Sequence, residues 1–306
     1  MTITRSSALL RQAIGSPTPA AYPRRIGLAW LGLLPFFGYM ALFFVLPTSV
    51  IIIEAFRHTD SETQVTTFTL NNVTDTLHGA YLTSLLHSIE LSLVTSVLSA
   101  GLGLTLAWAV VSGTNATVRR LVASASAVLA NFGGLPLAFL FVASIGNAGV
   151  LTRGLAGTGI HLKDNLLYSL TGVEFVYLYF LIPLMVLVIT PALEALKPQW
   201  REAAGNLGAN TWYYWRHVAG PILAPNVVGS IALLFCGAFS AYATAAALTN
   251  GTLSITPLSI SSALNGNVLV GQENVGDALA LDMIVIVVPL TFVYQYMQRR
   301  TSRWLH

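Results

Sequence analysis

From Val218 to Gln272 the chain carries no charged residue, and from Ile26 to Ile53 it carries none either. Uncharged, apolar stretches of this length constrain the fold more than any other feature. About 20 apolar residues in a helix cross a hydrocarbon core, so each stretch is long enough to span a membrane. Charged residues make up 9% of the chain, against about 25% in an average soluble domain. Such a chain cannot cover a water-facing surface, and its solvent is lipid.

Reading the apolar runs in order gives an all-α polytopic membrane protein with about six transmembrane helices. Span 1 covers 26–53 and contains Pro35 and Pro47, which are expected to kink it. Residues 54–80 read as a polar loop, with a turn at Asn71-Asn72. Span 2 covers 82–111. Its serines Ser84, Ser88, Ser92, Ser96 and Ser99, followed by Gly103, recur every three or four residues. That spacing predicts one face turned toward other helices, where small polar residues allow close approach. Span 3 covers 121–146 and is weakened in its middle by Asn131-Phe132-Gly133-Gly134-Leu135-Pro136. Span 4 covers 168–193. The stretch beginning at Val218 is too long for one helix. Pro221 and Pro225 set the start of span 5, at about Asn226, and Thr249-Asn250-Gly251 stops it after Leu248. Span 6 covers 277–298, ended by Arg299 and Arg300. The apolar run after the arginines of residues 1–25 is too long for the core of a cleaved signal and reads as a retained span.

Six spans place both termini and the 2–3 and 4–5 loops on one side. Twelve of the 15 Lys and Arg residues fall there: Arg5, Arg11, Arg24, Arg25, Arg119, Arg120, Lys197, Arg201, Arg216, Arg299, Arg300 and Arg303. Arg57, Arg153 and Lys163 fall on the other. The positive-inside rule assigns the richer side to the cytoplasm, giving an N-in, C-in chain. The expected organisation is a cytoplasmic tail over 1–25, a transmembrane domain over 26–298 with a cytoplasmic loop at 194–221, and a second tail over 299–306.

The 194–221 loop reads as helix, turn, helix. Pro198 suits the first turn of a short helix, and Gly208 the left-handed position that ends it. Asn210 or Thr211 can cap the next helix, which Pro221 is expected to end. Trp212, Tyr213, Tyr214 and Trp215 make an aromatic knob suited to a partner's pocket.

Glu202-Ala203-Ala204, followed after three residues by Gly208 and then by Val218 to Pro221, resembles the EAA loop of ABC-importer permeases. The resemblance implies a type I importer-permease fold over roughly residues 26–300. It implies that Glu202, Ala203, Ala204, Gly208, Trp212 and Pro221 couple the spans to a cytoplasmic ATPase whose closing motion drives alternating access. The family pattern usually has Leu before the final Pro, where this chain has Gly220, which puts the exit of the second helix in question. The implied partners are two copies of the ATPase, a second permease subunit (identical or homologous), an extracytoplasmic solute-binding protein docking on 54–80, 147–167 or 250–276, and membrane lipid. Nucleic acid is not among them. No phosphate-binding G-x-x-x-x-G-K-[ST] loop is present, so ATP and magnesium are expected on the partner and no cofactor or metal on this chain. The implied location is a bacterial or archaeal cytoplasmic (inner) membrane, crossed several times.

Ionisable groups at membrane depth are costly and therefore informative. Glu90, Asn131, Glu174 and Asp282 are the candidate pathway residues. An acidic pathway would favour a cationic solute, whereas the plainer reading of the same groups is interhelical hydrogen bonding or solvation at the interface. Asp277 lies near the outer end of span 6. His87 and Glu90, three apart on one face, are spaced to pair with each other. The Gly133-Gly134 break could expose backbone to the pathway or be a packing kink. Cys236, the one cysteine, allows no disulfide framework. Catalytic motifs are not found: Gly237-Ala238-Phe239-Ser240 is no protease nucleophile, and His-Glu-x-x-His is absent. The Leu33-Leu34-Pro35, Phe68-to-Asn72 and Gly146-to-Leu151 segments resemble permeases for polyamines, sulfate, thiamine or ferric iron. The acidic groups tilt the choice to polyamines. Sugar importers, and a stand-alone secondary transporter, are the alternatives.

Overall fold

The computed structural model describes residues 32–59, 66–159, 165–266 and 274–302. The expected N-terminal tail, and Lys163, Gln272 and Arg303, lie outside the described residues. The chain divides into two units, one ending at Val50 and one beginning at Ile51.

Helix α1 (Leu34–Ala55) starts with Pro35 in its first turn. Proline has no N–H and its ring crowds the carbonyl four residues earlier. Before Pro47 the helix widens into a π turn over Ala41–Val45, and the Leu46 N–H bonds back five residues to the Ala41 carbonyl. The inserted residue absorbs the mismatch, so the expected kink becomes a passage through the proline.

The second unit opens with β1 (Arg57–Thr59) and β2 (Thr66–Phe68), an antiparallel ribbon with Arg57 opposite Phe68. Asn71-Asn72 is not the expected turn but the start of α2 (Asn71–Thr76). The Asn72 side chain donates to the carbonyls of Ala55 (3.2 Å) and Arg57 (2.6 Å), which fixes the helix start against the ribbon.

Then follow α3 (Gly79–Ser112), α4 (Ala116–Asn131), α5 (Leu135–Ile145), α6 (Val150–Gly157), α7 (Leu170–Glu194), α8 (Pro198–Asn206), α9 (Thr211–Phe239), α10 (Ala243–Thr249), α11 (Thr256–Leu264) and α12 (Val275–Ser302). Among the described residues six helical stretches are long and apolar enough to cross a membrane: α1, α3, Leu135–Gly157, α7, α9 and α12. Span 3 is therefore not one helix over 121–146. It is α4 and α5, interrupted at Phe132–Gly134, and the stretch of membrane length lies C-terminal to the break. Span 5 differs as well: its helix begins at Thr211 rather than near Asn226, carries Pro225 inside, and ends at Phe239. The stop at Asn250-Gly251 is as expected, with both residues at positive φ.

Helix α7 is the axis. It packs against α3, α4 and α9, and Val173, Val176, Tyr177, Leu181, Met185 and Ile189 on it are fully buried. The serine face of α3 is buried as the spacing predicts. Its close approach to α7 is tightest at Gly103, where an added Cβ would lie 2.6 Å from the Met185 Cβ. The Ser88 hydroxyl accepts from the Thr256 N–H (2.7 Å), tying α3 to the start of α11.

The two helix breaks are closed by side chains. The Gly134 N–H donates to Thr244 Oγ1 (2.9 Å), across from the start of α5 to α10. Tyr177 Oη on α7 donates to the Ala241 carbonyl (2.7 Å), in the break between α9 and α10. In lipid each freed backbone group must find a protein partner. Tyr177→Phe removes that donor and little else. We expect it to cost about 1–3 kcal/mol, read as a lower unfolding midpoint in detergent with the chain still inserted.

Candidate functional site

The segment between α7 and α9 folds as its residue types dictate. Pro198 occupies the first turn of α8. The helix ends in a Schellman motif: the Ala209 N–H bonds the Ala204 carbonyl and the Gly208 N–H bonds the Gly205 carbonyl, both at 2.9 Å. Gly208 carries φ +82°, the left-handed conformation this motif requires. Asn210 Oδ1 then accepts from the Tyr213 N–H (2.8 Å) and caps α9. The spacing from Ala204 to Gly208 is thus set by the helix-ending geometry itself.

What this connection presents outward mixes small, large apolar and charged side chains. Glu202, Ala203 and Gly208 are exposed and Ala204 is half-buried. Leu207 is 88% exposed and Trp212 72% exposed, and with Tyr213 they put apolar surface on the outside of this connection. Leu207 carries no motif signature and was not singled out by sequence reasoning; only the helix-ending geometry turns it outward. Ala204, Leu207, Gly208, Ala209, Asn210 and Tyr213 help to line a hollow of about 480 Å³ at the turn. The expected four-aromatic knob divides by helix periodicity. Trp212 and Tyr213 face outward, Tyr214 is buried, and Trp215 turns inward to meet Trp108 edge-to-face at 6.0 Å.

Pro221 does not end the second helix and does not sit with the other residues of the motif. A π turn over Trp215–Ala219 precedes it, and the Gly220 N–H bonds back to the Trp215 carbonyl. The helix therefore runs on through the proline, as α1 does at Pro47. A Cβ at position 220 would lie 2.5 Å from the Trp215 carbonyl oxygen, which explains why glycine stands there in place of leucine.

Of the candidate pathway residues, Glu90 on α3 and Glu174 on α7 are brought within electrostatic range of each other. Glu90 is exposed and Glu174 half-buried. Asp282 on α12 faces Thr76 of α2 instead, and its Oδ2 is buried with no hydrogen-bond partner among the described residues. Asn131 folds back on its own helix, donating to the Ala127 carbonyl (2.8 Å). His87 does not pair with Glu90. Its Nδ1 lies 3.0 Å from the Ser254 carbonyl, an unsatisfied group in the irregular segment before α11.

Two contacts define the ends of the second unit. Arg119 Nη1 lies 3.7 Å from Glu194 Oε1, joining the 2–3 and 4–5 connections. The Arg57 carbonyl accepts from Asn72 (2.6 Å) and from Asn274 (2.8 Å), joining the connections at the opposite end. These features define a multi-pass membrane protein with an exposed helix–turn–helix at its cation-rich end.

Comparison with known proteins places it further. Residues 24–306 match the model of the family described as binding-protein-dependent transport system inner membrane component. The chain belongs to that family and is the permease subunit of a binding-protein-dependent ABC importer. It is 27% identical to the spermidine/putrescine transport system permease protein PotB of Escherichia coli (strain K12), over 67% of this chain and 75% of that one. A shorter match, 30% identical over 32% of this chain and 18% of the relative, is to the thiamine transport system permease protein ThiP of the same organism. The fold matches a bacterial ABC transporter involved in import of the acidic polysaccharide alginate, with a TM-score of 0.67, 14% identity and coverage of 89% of this chain and 95% of that one.

The sidedness gives a direct test. Thr114 and Thr158 are exposed in connections at opposite ends, and Cys236 is half-buried inside α9. Thr114→Cys should react with a membrane-impermeant thiol reagent in inverted vesicles and stay protected in intact cells, and Thr158→Cys should do the reverse. The same pattern for both residues would contradict the assigned orientation.

Proposed function

We propose that this permease forms half of an ATP-driven uptake pathway and that its solute is a small organic cation of the polyamine type. The observation that carries the first part is the exposed α8–turn–α9 surface. Leu207, Trp212 and the small residues Ala203 and Gly208 offer an apolar, closely approachable face to a separate ATPase, with Glu202 as its polar contact. In this reading two ATPase copies bind ATP and magnesium, a second permease completes the pathway, and an extracytoplasmic binding protein delivers the solute.

The mechanics follow from α9. It is 29 residues long, roughly 44 Å at about 1.5 Å per residue. Its cytoplasmic end is at Thr211–Trp212 and its other end is the break at Ser240–Tyr242. When ATP binding closes the ATPase pair, a push at Trp212 travels along this rod to the break beside Gly134 and Tyr177. The spans then reopen toward the binding protein, and hydrolysis resets them.

For the solute, two carboxylates on adjacent helices, Glu90 and Glu174, supply the field that a dication would seek. The PotB relatives support the same class. Asp282 adds a further carboxylate on α12.

Two experiments test these statements. Gly208→Asp keeps a residue type that tolerates positive φ but puts a charged side chain into open space on the docking face. In the co-purified complex we expect transport and solute-stimulated ATPase activity to fall about tenfold, which corresponds to about 1.4 kcal/mol of lost docking. Unchanged rates would sink the coupling role. For the pathway, Glu90→Gln, Glu174→Gln and Asp282→Asn are combined in one chain. Uptake of a polyamine by the reconstituted complex should be lost while ATPase assembly is kept. Intact uptake would remove the acidic-pathway idea, and a binding protein that takes only sugars would move the assignment to that class.

A further inference from the structure

A cavity of about 520 Å³ lies at the base of α8, where α3, α7 and α9 meet. Its lining includes three cations, Arg119, Lys197 and Arg201, against one carboxylate, Glu194. The Arg119 guanidinium is poorly used. Its Nη2 lies 3.4 and 3.5 Å from the carbonyls of Val111 and Gly113, and its Nη1 3.7 Å from Glu194. These are long for N–H···O bonds, which centre near about 2.9–3.0 Å. Its Nε is buried with no hydrogen-bond partner among the described residues. Neither Lys197 nor Arg201 is ion-paired among the described residues. The start of α8 opens on the same space without a side-chain cap; Pro198 has no N–H and the Trp200 N–H bonds the Lys197 carbonyl, so the helix start adds to the positive field through its dipole.

We propose that this cavity binds the phosphate headgroup of an anionic lipid from the cytoplasmic leaflet. A guanidinium with unmet donors, two unpaired cations and an uncapped helix start together specify a phosphodiester or a similar oxyanion. The apolar wall decides between a lipid and a free anion. Trp108 and Trp215 line the cavity from the membrane helices α3 and α9, and tryptophan settles at the headgroup level of a bilayer. A soluble anion would gain nothing from that wall, whereas a lipid lays its glycerol and first methylenes against it. Basic pockets between membrane helices on the cytoplasmic side are the usual form of such sites. The inference rests on the sidedness assigned above and not on the ATPase docking or the solute.

The test uses the assembled complex in nanodiscs of phosphatidylcholine, with or without phosphatidylglycerol. After a mild detergent wash, native mass spectrometry reads which lipid stays bound. The wild-type complex should retain phosphatidylglycerol in preference to phosphatidylcholine and unfold at a higher temperature in its presence. Lys197→Gln with Arg201→Gln, both at exposed positions, should weaken retention by roughly thirtyfold. Equal retention of the two lipids by the wild type, which needs no variant to read, would overturn the site. So would equal phosphatidylglycerol retention by the folded double variant. If inorganic phosphate alone reproduces the thermal shift in pure phosphatidylcholine, the cavity is a soluble-anion site and the lipid assignment falls. Transport and ATPase rates play no part in the readout, so failure of the coupling model would leave this result standing.

Discussion

The need to satisfy every backbone polar group inside lipid governs this structure. Two helices are broken, at Phe132–Gly134 and at Ser240–Tyr242, and each break frees N–H and C=O groups that need partners within the protein. Thr244 and Tyr177 answer two of them, at 2.9 and 2.7 Å. Because Tyr177 stands fully buried on α7, the break between α9 and α10 is held to the centre of the bundle.

The same constraint explains how prolines are carried without loss of continuity. At Pro47 and at Pro221 the helix inserts one residue as a π turn just ahead of the ring. The first case carries a membrane span through its proline. The second makes the connection from the exposed turn into the bundle a single helix, so the surface at Gly208 and Trp212 and the break beside Tyr177 are two ends of one element.

Much of this was legible in the residues. The charge-free runs gave the number of spans, and the asymmetry of Lys and Arg gave a sidedness that the Arg119–Glu194 contact agrees with. Pro198, Gly208 and Asn210 announced the helix–turn–helix because each has a backbone reason for its place. What could not be read was tertiary. Pro221 reads as a stop because a proline signals one locally, and a π turn leaves no mark in hydropathy. Thr244 lies in a run of alanines and Tyr177 in a run of apolar residues, so neither stood out as the partner of a break. His87 and Glu90 have the spacing of a pair, but a carbonyl freed in a distant segment, at Ser254, claimed the imidazole first. Among the candidate pathway groups the sequence could supply the residue types but not their grouping, which joins Glu90 to Glu174 and leaves Asp282 beside Thr76.

The buried serine face of α3 has a mechanical side. The hydroxyls of Ser84, Ser92, Thr95 and Ser96 donate to carbonyls of α3 itself, so they form no directional link to the neighbouring axis helix. Only Ser88 reaches out, to the backbone at the start of α11. Ser99 Oγ is buried with no hydrogen-bond partner among the described residues, so this face meets its neighbour chiefly through close contact of small groups. Helix α3 is thus clutched to α11 by directed hydrogen bonds and held to α7 by fit, with Gly103 seated over Met185.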